Sequence, residues 1–284
     1  MEKTDKISVI ILDFLKSKRV VENVTNLQEQ VCDFEIEIII VDNSCNEENK
    51  KKLETLRRFD NVKLIINEKN LGYTKANNRG AAQATGKYIF IVNPDIVVRD
   101  KDCFQKMVDF MDANPDVGIM GPKQFDELVD SVGMTVRAFP KLYVQIARRT
   151  FLRNVPLLKQ KVAYDEMRHL DYDKTQDVDW LQSSFIVVRG DVWRTIGGLN
   201  EKYFLFMSDP EICWRSWELG KRVVFYPEVT VYADGLRVSG GGVRDFFKKW
   251  TIRQHLVDSI RYRLRHLGRK NPRLRFIHQH QGRD

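Results

Sequence analysis

The sequence predicts an α/β fold built on a mostly parallel sheet. Short β-branched apolar runs at 7–12, 36–41, 62–66 and 88–92 are separated by amphipathic helical stretches at 17–31, 47–59 and 73–85. Continuous apolar runs of this kind suit strands buried on both faces. Their alternation with helices makes βαβ units with right-handed crossovers. The chain is also long enough to bury a large core, with 284 residues, 43% of them hydrophobic and 30% charged. That composition excludes collagen, coiled coil and wholesale disorder.

The elements justify themselves in order. Strand 7–12 feeds helix 17–31, and strand 36–41 feeds helix 47–59, for which Asn46 is a fitting N-cap. Strand 62–66 leads to helix 73–85, with Gly86 placed to be its C′ glycine. Strand 88–92 is followed by helix 102–113, which stops before Asn114-Pro115. Beyond residue 117 the pattern is irregular. Residues 124–139 read as strand pieces around Gly133, and 142–174 as a basic stretch of mixed helical signal. A strand at 178–189 precedes a short helix ending at Gly197-Gly198. A helix at 210–219 closes at Gly220, and short strands follow at 223–226 and 229–232.

Charge is uneven along the chain. The net charge is +8, yet residues 237–284 alone hold 13 Lys and Arg against three Asp and Glu. A near-neutral body with a basic tail points to an anionic partner, a membrane surface or a nucleic acid. Nucleic acid is disfavoured, because the tail carries no HTH, RRM or zinc pattern. After the glycine run 240–242, residues 243–267 set Phe246, Trp250, Val257, Ile260, Leu264 and Leu267 on one helical stripe, with Arg and Lys crowding the other positions. Such a helix lies in an anionic membrane interface, packs on the body, or pairs with a second copy in a homodimer. Cys32, Cys45, Cys103 and Cys213 form no CxxC pair, which argues against a disulfide framework and fits a reducing, cytoplasmic compartment. The N-terminus shows no signal-peptide pattern and no run reaches 18 apolar residues, so a spanning helix is not expected.

Ligands of open parallel sheets bind beyond the carboxyl ends of the strands. Asp42-Asn43 and Asn93-Pro94-Asp95 stand at such ends. Asp95 is placed to hold a cation bound to phosphate oxygens, although Asn-Pro-Asp is also turn chemistry. Asp42 is placed to accept hydrogen bonds from a nucleobase or ribose, although the Asn-Ser-Cys-Asn that follows is rich in cap and turn residues. Residues 70–80, with Asn70, Gly72 and Asn78, open a helix whose start either offers N–H groups to a ligand or is a glycine turn before a polar helix face. Asp209, before Pro210, is either a helix N-cap or a general base facing the crevice.

Taken together, these residues resemble the family 2 glycosyltransferases, in particular the bacterial rhamnosyltransferase-like branch. The resemblance covers residues 6–240. It rests on an ordered set: Ser-Val-Ile-Ile-Leu at 8–12, Val-Asp-Asn-Ser at 41–44, Asn-Leu-Gly-Tyr at 70–73, Asn-Asn-Arg-Gly at 77–80 and Gly-Lys-Tyr-Ile at 86–89. It continues with Asn-Pro-Asp at 93–95, Asp-Trp-Leu at 179–181, Ile-Gly-Gly-Leu-Asn-Glu at 196–201 and the stretch 203–215. The resemblance implies a GT-A, Rossmann-like fold in three parts: a nucleotide-sugar half at 1–122, an acceptor and catalytic half at 123–240, and the basic helical tail at 241–284. It implies a nucleotide-diphosphate sugar donor, dTDP-rhamnose favoured, with galactose or glucose as rival sugars. It also implies inversion at the anomeric carbon, a glycan or polyprenyl-linked acceptor, and Mn²⁺ or Mg²⁺ as cofactor.

By the same resemblance Asp209 is the catalytic base, and Leu12, Asp13, Asp42, Asn70, Gly72, Asn78, Asn93 and Asp95 form the donor side. Trp180, Leu181 and Glu211 lie on the acceptor side, and Asp95 and Asp234 hold the metal. The chain departs from the family pattern at Ser208, where Glu is usual, and at Glu211, where Asp is usual. It departs again at Asp13 and Leu15, where Asn is usual, and at Ala233, where His is frequent. These departures leave open a degenerate homologue that binds a nucleotide without turnover.

Overall fold

The structure is a computed structural model that describes residues 4–133, 135–233 and 250–281. Asp234, the glycine run 240–242 and the start of the expected tail helix, Phe246 included, lie outside the described residues. The first half runs β1 (Lys6–Asp13), α1 (Ser17–Leu27), β2 (Glu35–Asp42), α2 (Glu47–Glu54), β3 (Val62–Ile66), α3 (Gly72–Ala81), β4 (Tyr88–Val92), β5 (Ile96–Val97) and α4 (Cys103–Ala113). Then come β6 (Val117–Asp126), β7 (Ser131–Val132), β8 (Val136–Arg137), α5 (Leu142–Arg149), α6 (Pro156–Asp165), β9 (Gln176–Asp177) and β10 (Trp180–Leu181). The chain continues through β11 (Phe185–Arg189), α7 (Gly190–Ile196), α8 (Ser208–Glu218), β12 (Arg222–Ala233), α9 (Trp250–Arg265) and α10 (Pro272–Gln281).

The main sheet has the order β3-β2-β1-β4-β11-β6-β12-β5. Strands β3, β2, β1 and β4 are parallel, as the apolar runs predict. β11 inserts antiparallel between β4 and β6, and β12 lies parallel to β6. Side-chain alternation divides the core between the two faces. Ile7, Val9 and Ile11 meet α1 and α4 on one face, while Ile10 meets α3, α7 and α8 on the other.

Several local expectations are corrected. Helix α1 stops at Leu27, and Val31 instead donates its N–H to the Lys101 carbonyl at 2.7 Å. Gly86 is not the C′ residue of α3, which ends at Ala81. Its N–H meets Ser8 Oγ at 2.8 Å, and a Cβ there would come within 2.5 Å of the β1 backbone. The run 178–189 is two strands, β10 and β11, broken at 182–184. The runs 223–226 and 229–232 are one strand, β12, whose register shifts between Tyr226 and Thr230 around Pro227, a residue with no N–H for the ladder. The expected cap at Asn46 is present, its side chain accepting from Asn49 N–H at 2.9 Å.

Of the tail, α9 and α10 are helical, and α9 lies against residues 204–211. The docking face of α9 is polar: Asp258 is fully buried, and Tyr262 is buried beside it. Trp250, Val257, Ile260, Leu264 and Leu267 of the apolar stripe are exposed. Among the described residues no helix is long and apolar enough to cross a membrane.

Candidate active site

The carboxyl ends of β1, β2 and β4 meet at one edge of the sheet. Asp13 and Asp42 are register partners there, both buried. Asn49 of α2 ties them together, donating to Asp13 at 2.5 Å and to Asp42 at 3.4 Å. Asp13 also accepts from Lys16 N–H at 2.9 Å, and Asp42 from Ser44 N–H at 2.9 Å. Burial raises the Asp13 pKa, against these hydrogen bonds. A hollow of about 420 Å³ opens beside them, lined in part by Leu15, Lys16, Asn46, Asn49 and Lys52. Leu15 takes φ of 59° at its rim, a conformation that Asn adopts at lower cost. Leu12, half-buried, packs on the core below.

Beyond β4, Asn93 N–H bonds the Ser184 carbonyl at 2.8 Å, which joins the Asn93-Pro94-Asp95 turn to the 182–184 break. The Lys16 ammonium lies 3.4 Å from the Asp95 carboxylate, whose side chain is 21% exposed. Asp209 faces the same break. Its carboxylate accepts from Ser183 Oγ at 2.7 Å and from Ser183 N–H at 3.3 Å. Burial raises the Asp209 pKa, partly offset by Ser183 and by Ser208 Oγ. Asp209 lies inside α8 and is not its N-cap; that position is Met207, with φ of 66°. The Tyr73 hydroxyl bonds Ser183 Oγ at 2.8 Å. Burial and then the charges of Asp209 and Asp95 push its pKa up. Ser183, Tyr73 and Lys16 carry no role in the sequence reading; Ser183 was hidden inside a run that looked like uninterrupted strand.

The other residues expected at the site also make scaffold contacts. Asn70 accepts from Gly72 N–H at 2.9 Å, and Tyr73 N–H bonds the Phe204 carbonyl at 2.6 Å, so the start of α3 is already occupied by protein. Gly72 is glycine because a Cβ would sit 2.6 Å from the Phe204 oxygen. Asn78 spans to Leu199, accepting its N–H at 2.9 Å and donating to its carbonyl at 2.8 Å. Trp180 Nε1 donates to the Ala138 carbonyl at 2.8 Å, and Leu181 is buried against Gly121. Glu211 has no exposed surface: it pairs with His266 at 2.5 Å and with Arg265 at 2.6 Å. In the structure it anchors the end of α9.

Among the described residues no group of three or more His, Cys, Asp or Glu stands together as a metal cage. Asp95 supplies one partly exposed carboxylate beside Asn93. That donor set fits a Mg²⁺ or Mn²⁺ ion that takes its remaining ligands from substrate phosphates and water.

The family described as Glycosyl transferase family 2 matches residues 8–165. The chain is 25% identical over 207 residues to an N-acetylglucosaminyl-diphospho-decaprenol L-rhamnosyltransferase of Mycobacterium tuberculosis, covering 69% of this chain and 66% of that protein. It is 24% identical over 216 residues to the low-salt glycan biosynthesis hexosyltransferase Agl10 of Haloferax volcanii, covering 75% of this chain and 62% of that protein. The chain thus spans about two thirds of the length of these curated relatives. Its fold is similar to that of the mannosyltransferase PcManGT from Pyrobaculum calidifontis, solved with GDP-Man and Mn²⁺. The TM-score is 0.61 at 15% identity, over 98% of this chain and 69% of that one.

Proposed function

The chain belongs to glycosyl transferase family 2, and from that premise we propose that it is an inverting glycosyltransferase. It moves a sugar from a nucleoside-diphosphate donor to a hydroxyl of a glycan or lipid-linked saccharide. The observation that carries this reading is Asp209, held by Ser183 at the 182–184 break, to which Asn93 of the Asn93-Pro94-Asp95 turn is joined through the Ser184 carbonyl. Rhamnose, carried as dTDP-rhamnose, is the favoured sugar, in keeping with the mycobacterial relative. Another hexose is the second reading, in keeping with the haloarchaeal one.

The displacement needs one base on the face opposite the leaving group. Asp209 takes the acceptor proton as that oxygen attacks the anomeric carbon. Its raised pKa makes it a better proton acceptor than an ordinary carboxylate. Lys16 sets a positive charge beside Asp95, where the donor diphosphate is expected. A divalent cation held at Asp95, with Asn93 beside it, would supply Lewis-acid neutralisation of the departing diphosphate. Asn49 lines the hollow expected to take the base, bonded to Asp13 and Asp42 behind it. A lipid-linked acceptor places the enzyme at the inner face of the cell membrane as a peripheral protein.

The reading is tested by incubating the protein with a panel of nucleotide sugars, Mn²⁺ and a polyprenyl-diphosphate saccharide, and measuring free nucleoside diphosphate. Acceptor-dependent release from one donor supports it. Donor binding without release from any donor favours a degenerate homologue, the reading that buried Ala233 at the family's frequent His position motivates.

A further inference from the structure

Between Asp130 and Asp165 the chain carries seven Lys and Arg and no Asp or Glu. This stretch contains α5 and α6, joined through a tight helical turn at Phe151–Asn154. The two helices share a small core of Val144, Ala147 and Val162, separate from the clusters on the sheet. At the hairpin's base, Ala138 N–H bonds the Asp165 carbonyl at 3.2 Å, and Arg148 reaches the Asp165 carboxylate at 3.2 Å. At its tip, large apolar side chains point outward: Phe151 is 81% exposed and Leu157 is 77% exposed. Arg153, Lys159 and Lys161 are exposed around them.

We propose that the tip of the α5–α6 hairpin docks on an anionic lipid bilayer, with Phe151 and Leu157 entering the interface. Charge complementarity selects this occupant: a stretch without one acidic residue suits an anionic headgroup layer, and apolar tips between basic residues suit the boundary below it. The hairpin is also joined to the reaction site. It follows β8, which pairs with β10, and β10 leads directly to Ser183 beside Asp209. Docking at the tip would bring the acceptor side of the crevice towards the membrane, where a lipid-linked acceptor resides. This inference rests on the lipid-linked reading proposed above.

Flotation of the full chain with vesicles separates the outcomes. Vesicles of phosphatidylglycerol and phosphatidylethanolamine are compared with phosphatidylcholine alone, at low and high salt. The wild type is expected to float with the anionic vesicles and less so at high salt. The double variant Phe151→Asp/Leu157→Asp is expected to lose about tenfold or more of that binding, while keeping wild-type circular dichroism and vesicle-free release of nucleoside diphosphate. The tail variant Leu264→Asp/Leu267→Asp is expected to float like the wild type. Undiminished flotation of the hairpin variant, loss only in the tail variant, or a wild type that never floats would overturn the proposal. So would self-association in solution that the hairpin variant abolishes, because the tip would then be a contact between copies. Release of nucleoside diphosphate without vesicles reads the chemistry separately, so failure of docking and failure of the transferase reading are distinguishable.

Discussion

Ser183 touches Asp209 through both its hydroxyl and its N–H, but only the hydroxyl is removed in Ser183→Ala. A donor to a carboxylate stabilises the charged form, so its loss raises the Asp209 pKa further. The acidic limb of the kcat–pH profile should therefore move to higher pH in Ser183→Ala, with donor KM little changed. An unmoved limb would detach Asp209 from the role of base. Asp95→Ala should abolish Mn²⁺-dependent donor binding, measured by calorimetry, while the thermal transition stays within about 1 kcal/mol of wild type, as befits a partly exposed side chain. Full activity of this variant, or of the wild type in chelator, would remove Asp95 from the donor site. At this scale the position of Asp42 and Asp95 at strand ends was legible from the apolar runs before them, whereas the choice between ligand and turn chemistry was not. Asn78, Gly72 and Glu211 also carry contacts that the motifs did not disclose: Asn78 bonds Leu199, Gly72 packs on Phe204, and Glu211 pairs with Arg265 and His266.

Helix α9 reaches the segment before Asp209 directly. Asp258, fully buried, accepts the N–H groups of Phe204, Leu205 and Phe206 at 3.3, 3.1 and 3.0 Å. Asp258→Ala should leave these donors unpaired and destabilise the fold by about 1–3 kcal/mol, with kcat falling more than donor KM rises. A variant equal to wild type in both denaturant midpoint and kcat would show that α9 does not hold the segment. Glu211 adds a pH dependence. Burial alone would raise its pKa, but the His266 contact and the charges of His266 and Arg265 outweigh it and hold the pKa below the ordinary glutamate value. A carboxylate depressed in the folded state stabilises fully above its unfolded pKa, and the gain is lost as pH falls through the folded one. Glu211→Gln should therefore cost stability near neutrality and lose less on further acidification than wild type, as urea midpoints at several pH values would show. The helical period of the tail was legible, yet the docking face was not. Hydrophobic periodicity marks the apolar face, whereas α9 docks through Asp258, Tyr262 and Arg265, with His266 just beyond its end.

The parallel half of the sheet was readable because strands buried on both faces leave continuous apolar runs. The antiparallel insertion of β11 was not, since Phe185–Arg189 is as apolar as its neighbours and direction leaves no trace in composition. That insertion matters to the whole molecule: it brings the 182–184 break beside Asn93 and gives Asp209 a partner from a distant part of the chain. The central claim is that the crevice so formed transfers a sugar with Asp209 as base. The most direct measurement is acceptor-dependent release of nucleoside diphosphate by wild type and Asp209→Asn, with donor affinity measured alongside. Wild type is expected to release nucleoside diphosphate from one donor, dTDP-rhamnose favoured, and Asp209→Asn to fall by at least about 10²-fold at unchanged donor affinity. Equal rates in the two proteins, or a fall that merely follows loss of folding, would contradict it.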